Sequence, residues 1–292
     1  MKILLFGGTG QLGYDLIRRA NDLNFEVIAP VTSEVDIRDR LAVSRIVQAA
    51  SPSVVINSAA YTAVDNAEDE PERAHAVNAQ GAEWIAAACQ QRGVRLIHVS
   101  TDYVFDGKGE TPLNEDAPVN PLNVYGESKL AGEQAVLRIL GERALVVRTA
   151  SLYGARGANF VATMLKLFTE KERVQVVADQ WMSPTSTGFF ADVLLDLCRT
   201  PCSGLLHAAC DGSASWFEFA EAILRCSSAR LPSSQSCVIE KTTASAFARR
   251  ARRPRYSVLD CSRLAGLLGR RPIHWEEALK EHLQEIGMEA RA

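Results

Sequence analysis

Paired cysteines are what this chain lacks first. Its seven cysteines are odd in number and scattered, with no CxxC pair, and its five histidines show no ligand spacing. Neither a disulfide framework nor a zinc site is expected, and no metal is assigned. No apolar run approaches the ~20 residues that span a bilayer. The opening "MKILLFGG" is apolar over too short a stretch for a signal-peptide core. Basic excess is also missing: the net charge is −3, which argues against nucleic acid and anionic membranes as partners. There is no internal repeat and no low-complexity tract. What is left is a chain of 292 residues, 47% hydrophobic, with enough length for a real core. The expectation is a reduced, cytoplasmic protein.

Short apolar runs alternate with helix-length stretches through the first half. Ile3–Phe6, Phe25–Val31, Val54–Asn57, Arg95–Ser100 and Ala144–Arg148 are expected strands. Gln11–Asp22, Arg40–Ala50, Pro71–Arg92 and Val124–Leu140 are expected helices. That alternation predicts βαβ units and an α/β fold, a Rossmann-type doubly wound parallel sheet. Beyond Ala150 the rhythm loosens. Asn159–Glu170, Thr187–Arg199, Trp216–Cys226 and Trp275–Ile286 are expected helices, Gly204–Ala208 a strand, and Ser227–Ser236 a loop. The expected organisation is a nucleotide-binding domain over 1–150, joined by segments returning near 187–210, and a smaller, mainly C-terminal α/β lobe within 151–292.

"ILLFGGTGQLG" sets Gly7, Gly10 and Gly13 after a strand and at the start of a helix. Glycine there permits a tight turn, close approach of backbone N–H groups to a pyrophosphate, and close packing of helix on sheet. The helix N-terminus adds partial positive charge. NAD(H) and NADP(H) are usually told apart by an acid or an arginine at the end of the second strand. Here "VIAPVTSE" offers Thr32 and Ser33 instead, so NADH and NADPH both stay open. Asp36 is the next acid, and a helix-start or loop acid is an equally good account of it.

The fourth strand ends in "LIHVSTDYVFDG", and "NVYGESK" opens the next long helix. Tyr125 and Lys129 are four apart, one turn on one helix face. A Lys⁺ beside a phenol lowers its pKa from about 10. By itself such a pair is commonplace. Beside a bound dinucleotide it joins Thr101 in a coherent set. Thr101 binds a carbonyl oxygen, Tyr125 donates a proton, and Lys129 tunes Tyr125 and holds the nicotinamide ribose.

At these motifs the chain resembles the extended short-chain dehydrogenase/reductases, and among them the dTDP-4-dehydrorhamnose reductase family. The resemblance rests on "FGGTGQLG", "VINSAAYTAVDNAE", "STDYVFDG", "PLNVYGESKLAGE", "VVRTASLYG" and "RRPRYSVLD". It implies reduction of the C4 ketone of a nucleotide-linked 4-dehydro sugar with NADPH or NADH, for polysaccharide precursors, with a homodimer left open. It assigns Gly10, Gln11 and Leu12 to the cofactor loop, Asp36 and Ile37 to the adenine side, and Ala60, Tyr61 and Thr62 to a further cofactor loop. Thr101 and Asp102 match substrate contacts, Tyr125 the proton donor and Lys129 its partner. Asn78 matches an asparagine near the fourth strand, against a plain polar helix residue. Where some members carry a sugar-packing tryptophan, this chain has Ser151, with Tyr153 or Trp181 as candidate replacements and Tyr153 equally a core residue. "DQWMSPTS" is expected to border the substrate.

"ARRARRPRYS" places Arg249, Arg250, Arg252, Arg253 and Arg255 within seven positions. One or two suit a diphosphate, Arg253 foremost, and the rest a solvated loop. Two rival readings stay open. One is an epimerase, dehydratase or another reductase of nucleotide sugars; a dehydratase commonly needs Asp-Glu after the threonine, and here Tyr103 follows Asp102. The other is a catalytically silent, cofactor-binding regulatory subunit.

Overall fold

The computed structural model describes residues 1–227, 237–247 and 249–289. Five strands occupy the first half: β1 (Lys2–Phe6), β2 (Glu26–Ile28), β3 (Val54–Asn57), β4 (Arg95–Thr101) and β5 (Ala144–Thr149). With the returning strand Gly204–His207 they form one six-stranded sheet. Its order across the sheet is Gly204–His207, β5, β4, β3, β1, β2, and every pairing is parallel. Chain order reverses between β1 and β3, the switch point where such sheets bind ligands beyond their strand ends.

Strand residues alternate strictly between two cores, as a period of two requires. Ile3, Leu5, Ile97, Val99, Leu145 and Val147 face helix α1 (Gln11–Asp22) and the helix Thr187–Arg199. Leu4, Phe6, Leu96 and Val146 face helix α2 (Arg40–Ala50) and the helices Ala82–Arg92 and Val124–Leu140. Both faces are covered, so the strands are buried on both sides and mostly apolar, with polar residues toward their C-terminal ends.

A separate core lies between Tyr153 and Leu283, around Phe168, Phe219, Ile223, Trp275 and Leu279. The helices Phe160–Glu170, Trp216–Ser227 and Trp275–Glu289 supply it. So do two strands unforeseen in the sequence, Arg173–Val177 and Val238–Thr242, which pair in parallel. Other differences are small. The expected strand Phe25–Val31 narrows to Glu26–Ile28. The expected loop Ser227–Ser236 lies outside the described residues except Ser227, which closes its helix.

The expected single helix Pro71–Arg92 is interrupted. Pro71–His75 and Ala82–Arg92 are α-helical, and Ala76–Gly81 between them is a π-helical turn. Such turns insert a residue into the helix and frequently mark functional sites. This one carries Asn78.

Candidate active site

All the parallel strands end on the same edge, and the motif residues gather there. Gly7 has φ +89°, open to glycine alone without strain, and a Cβ on it would stand 2.6 Å from the Ala59 amide nitrogen. A Cβ on Gly13 would lie 2.2 Å from the Gly7 carbonyl oxygen. Gly10 caps α1 with no side-chain hydrogen bond, so no side chain occupies the helix's N-terminal donors. A cradle bared of side chains around an uncapped helix start fits a dinucleotide pyrophosphate. Gln11 and Leu12 form the first turn above it.

Past β2, Ile37 is buried, and a Cβ on Gly81 of the π turn would meet it at 2.8 Å. Asp36 accepts a two-pronged bond from Arg38, at 3.0 and 2.6 Å, which holds its carboxyl below the usual range. Arg38 was overlooked in the sequence because it stands six residues past the position at which an arginine was sought.

The Ala60–Thr62 segment is pinned by Asn78. That side chain, 1% exposed, accepts from the Tyr61 amide at 2.8 Å and donates to the Tyr61 carbonyl at 3.1 Å and to Ser128 Oγ at 2.9 Å. Ser128 donates in turn to the Tyr125 carbonyl at 2.8 Å. Asn78 therefore couples the loop after β3 to the helix carrying Tyr125 and Lys129. Gly132 of that helix packs on the same turn, where an added Cβ would be 2.2 Å from the Asn78 carbonyl oxygen. Gly→Ala inside an exposed helix gains roughly 1 kcal/mol. Here the sign is expected to reverse. Gly132→Ala should lose about 1–3 kcal/mol of unfolding free energy, read by urea denaturation; a gain in stability would refute the close approach.

The helix Val124–Leu140 begins at three fixed points. Asn123 Oδ1 accepts from the Gly126 amide at 2.8 Å, its Nδ2 donates to the Arg252 carbonyl at 2.7 Å, and Glu68 Oε1 accepts from the Val124 amide at 2.9 Å. Tyr125 thus leaves the helix at its first turn, beside the end of β4. The Thr101 side chain acts on its phenol, drawing its pKa down, and Tyr103 meets its ring edge-on at 5.5 Å. Thr101 Oγ1 donates to Asp102 Oδ1 at 3.0 Å. Asp102 is buried, which pushes its carboxyl up to about 6 against the pull of hydrogen bonds from Ser257 and Thr101. Thr101, Asp102 and Tyr125 therefore form one connected set.

Burial raises the Tyr125 phenol well above its usual range, with the Thr101 hydrogen bond as the partial offset. The lowering expected from Lys129 is not what governs it. Lys129, 2% exposed, donates from Nζ to the Val99 carbonyl at 2.6 Å. Burial brings its ammonium down to about 8, and Glu133 opposes that shift.

The remaining expected contacts divide. Arg253 is occupied: it donates to both carboxylate oxygens of Asp65 at 3.0 and 2.7 Å, which brings Asp65 down to about 2. Beside it Arg249 and Arg252 line a cavity of about 240 Å³ with Val177, Gln180 and Phe247. Ser151 sits past the end of β5 with φ +46°, a strained conformation for serine. Tyr153 turns into the second core, against Phe219 and His282. Trp181 lies in the strand beside Ser257, to whose amide its carbonyl is bonded at 2.9 Å.

A comparison with known families decides what this arrangement belongs to. The family model described as the RmlD substrate binding domain matches residues 1–288. The chain belongs to that family. Its relatives in the family include a dTDP-4-dehydrorhamnose reductase of Streptomyces griseus, 43% identical, with 95% of this chain and 91% of that protein covered. A dTDP-4-keto-6-deoxy-D-glucose reductase of Streptomyces niveus is 40% identical, with 95% of each covered. Among solved structures, the dTDP-4-dehydrorhamnose reductase of Bacillus anthracis in complex with NADP superposes with a TM-score of 0.91 at 36% identity, over 97% of this chain and 99% of that one. The extended reductase family expected from "STDYVFDG" and "NVYGESK" is thus the family found.

Proposed function

We propose that the protein reduces the C4 ketone of dTDP-4-dehydro-L-rhamnose to dTDP-L-rhamnose, using NADPH or NADH. The observation that carries this is the cluster of Thr101, hydrogen-bonded to Asp102, with Tyr125 at the strand end, and Lys129 one turn along the helix. Two relatives at 40% identity or more are named as reductases of dTDP-linked 4-keto sugars, which supports the substrate class.

The bound nicotinamide cofactor supplies the hydride to the carbonyl carbon. Gly7, Gly10, Gln11, Leu12 and Gly13 hold its pyrophosphate, and Asp36, Ile37 and Ala60–Thr62 its adenosine half. Tyr125 is the general acid. A phenol raised by burial stays protonated until an alkoxide forms beside it, which is what an acid at this position requires. Thr101 orients the ketone oxygen on the other side, and Asp102 fixes a neighbouring sugar hydroxyl. Lys129 keeps a positive charge by the nicotinamide ribose and the developing alkoxide. Ser151 leaves room at the sugar, and Trp181 takes the packing role, since Tyr153 is in the core. Arg249 and Arg252 meet the diphosphate, while Arg253 braces the site through Asp65. The division of labour is cofactor on 1–150 with the returning 187–210, and nucleotide sugar on the rest. Where a dehydratase would place its glutamate, Tyr103 meets the Tyr125 ring edge-on instead.

The test is to supply enzymatically generated dTDP-4-dehydro-L-rhamnose with NADPH or NADH and identify the product by NMR. Stoichiometric cofactor oxidation with dTDP-L-rhamnose as product is expected. Oxidation only with dTDP-4-keto-6-deoxy-D-glucose, the second reading favoured by the Streptomyces niveus relative, keeps the reductase and discards this sugar. No turnover with either would leave a regulatory, cofactor-binding subunit as the better account.

A further inference from the structure

A buried ion pair lies directly behind Lys129. Glu133 follows it by one helical turn, on the same face. Both side chains are 2% exposed. Arg148, on β5, donates to Glu133 through Nε at 2.8 Å and Nη2 at 2.6 Å. Its guanidinium also lies over the Phe105 ring, 5.1 Å from the centroid. Arg148 stands in register with Ser100, next to Val99, whose carbonyl holds Lys129. The pair therefore touches three parts of the site at once: the Tyr125 helix, the end of β4, and the "STDYVF" turn.

As a stabilising element the pair is poor. Two buried charges cost more in desolvation than they return unless every polar atom is satisfied, and an apolar pair of similar volume is often as stable. Arg148 Nη1, Ser100 Oγ and His98 Nε2 are all buried with no hydrogen-bond partner. A carboxylate retained at that cost has a use beyond packing, and the cation one turn away supplies one. We infer that Glu133, clamped by Arg148, is a positioning residue that supplies the counter-charge holding Lys129 in its working state. The inference rests on the reading of Tyr125 and Lys129 given above.

The groups facing Lys129 sort cleanly by pH. On its own helix are Tyr125, raised well above neutral, and Glu133. From β4 come His98, held neutral by burial and by the Lys129 charge, and Asp102 at about 6. From β5 comes Arg148. Lys129, at about 8, stands on the mildly alkaline side. Because Glu133 raises Lys129, removing its charge moves the loss of protonated Lys129 to lower pH. Activity that needs the ammonium then falls earlier as pH rises.

The experiment compares pH profiles of kcat and of NADPH affinity for wild type and Glu133→Gln. The alkaline limb of both is expected to move down by about one pH unit, tenfold in protonated fraction above both limbs. At pH 6.5 the variant should stay within about threefold of wild type by the same linkage. The double change Glu133→Gln with Arg148→Met leaves no guanidinium buried without its carboxylate and covers the case in which the single variant fails to fold. Its limb should move the same way by less, since Arg148 repels Lys129 from farther off. A uniform loss at all pH values with the limb in place, in either folded variant, overturns the role and leaves a structural pair. Failure of wild type to reduce any keto sugar would strike the underlying reading instead, and the affinity profile would still report on Glu133.

Discussion

Tyr125→Phe is expected to lower kcat by at least ~10²-fold, the low end for loss of a general acid. NADPH affinity should stay within about threefold, because the change removes one oxygen from a group that binds no part of the pyrophosphate cradle. The ring keeps its edge-on contact with Tyr103 at 5.5 Å, so the helix start held by Asn123 and Glu68 is undisturbed. What disappears is the phenol proton, while the Thr101–Asp102 hydrogen bond stays in place. Pre-steady-state hydride transfer followed at 340 nm separates this from a slowed release step. Turnover within threefold of wild type would remove Tyr125 from the acid role.

Lys129→Met should damage two quantities together. kcat is expected to fall by at least ~10²-fold as the developing alkoxide loses its nearby cation. NADPH should bind about tenfold more weakly, about 1.4 kcal/mol, if the ribose loses a charged donor. Methionine fills nearly the same volume, so the packing around this buried position is retained. The Val99 carbonyl, which now accepts from Nζ at 2.6 Å, is left without that donor. Isothermal titration with NADPH alone reads the second effect without any sugar. Unchanged affinity alongside reduced kcat would keep the electrostatic role and discard the ribose contact.

The fold was legible where its causes are local. Val124–Leu140, Arg40–Ala50 and Thr187–Arg199 appear with the expected bounds, since apolar spacing and a capping Asn123, Asp39 or Ser186 lie within a few residues. The π turn at Ala76–Gly81 was not legible. An inserted residue leaves composition and helix propensity unchanged, and its cause, the close packing of Gly132 on Asn78, lies on another helix. The pairing of Arg173–Val177 with Val238–Thr242 was missed for a related reason: each strand is short, and the partner is far along the chain.

The candidate site divides in the same way. Gly7, Gly13, Tyr125 and Lys129 stand in motifs whose spacing carries a mechanism. Asp65 with Arg253 does not, because 188 residues separate two ordinary surface-looking charges. Nor does Glu133 with Arg148. A glutamate four residues after a lysine on a helix ordinarily signals a solvated ion pair, and only the depth of both groups shows otherwise. Tyr153 marks the opposite limit, an aromatic in a motif-rich segment that the second core claims.

The strand Gly204–His207 covers the outer edge of β5. The helix Thr187–Arg199, with Phe190, Leu194 and Leu197, closes one apolar face of the same sheet. On the ribosome this sets an order of events. When residue 150 has emerged, all the glycine-loop, β4 and Tyr125 residues are outside, yet the sheet has an open edge and a hydrophobic face that α1 covers only in part, the features that invite pairing between nascent chains. Closure waits for residue 207, after the segment that begins the second core has been made. The sheet is therefore closed before the second core, which waits for the helix Trp275–Glu289. Any engineered fragment ending near residue 150 inherits that unfinished edge, while a fusion appended after the final helix does not.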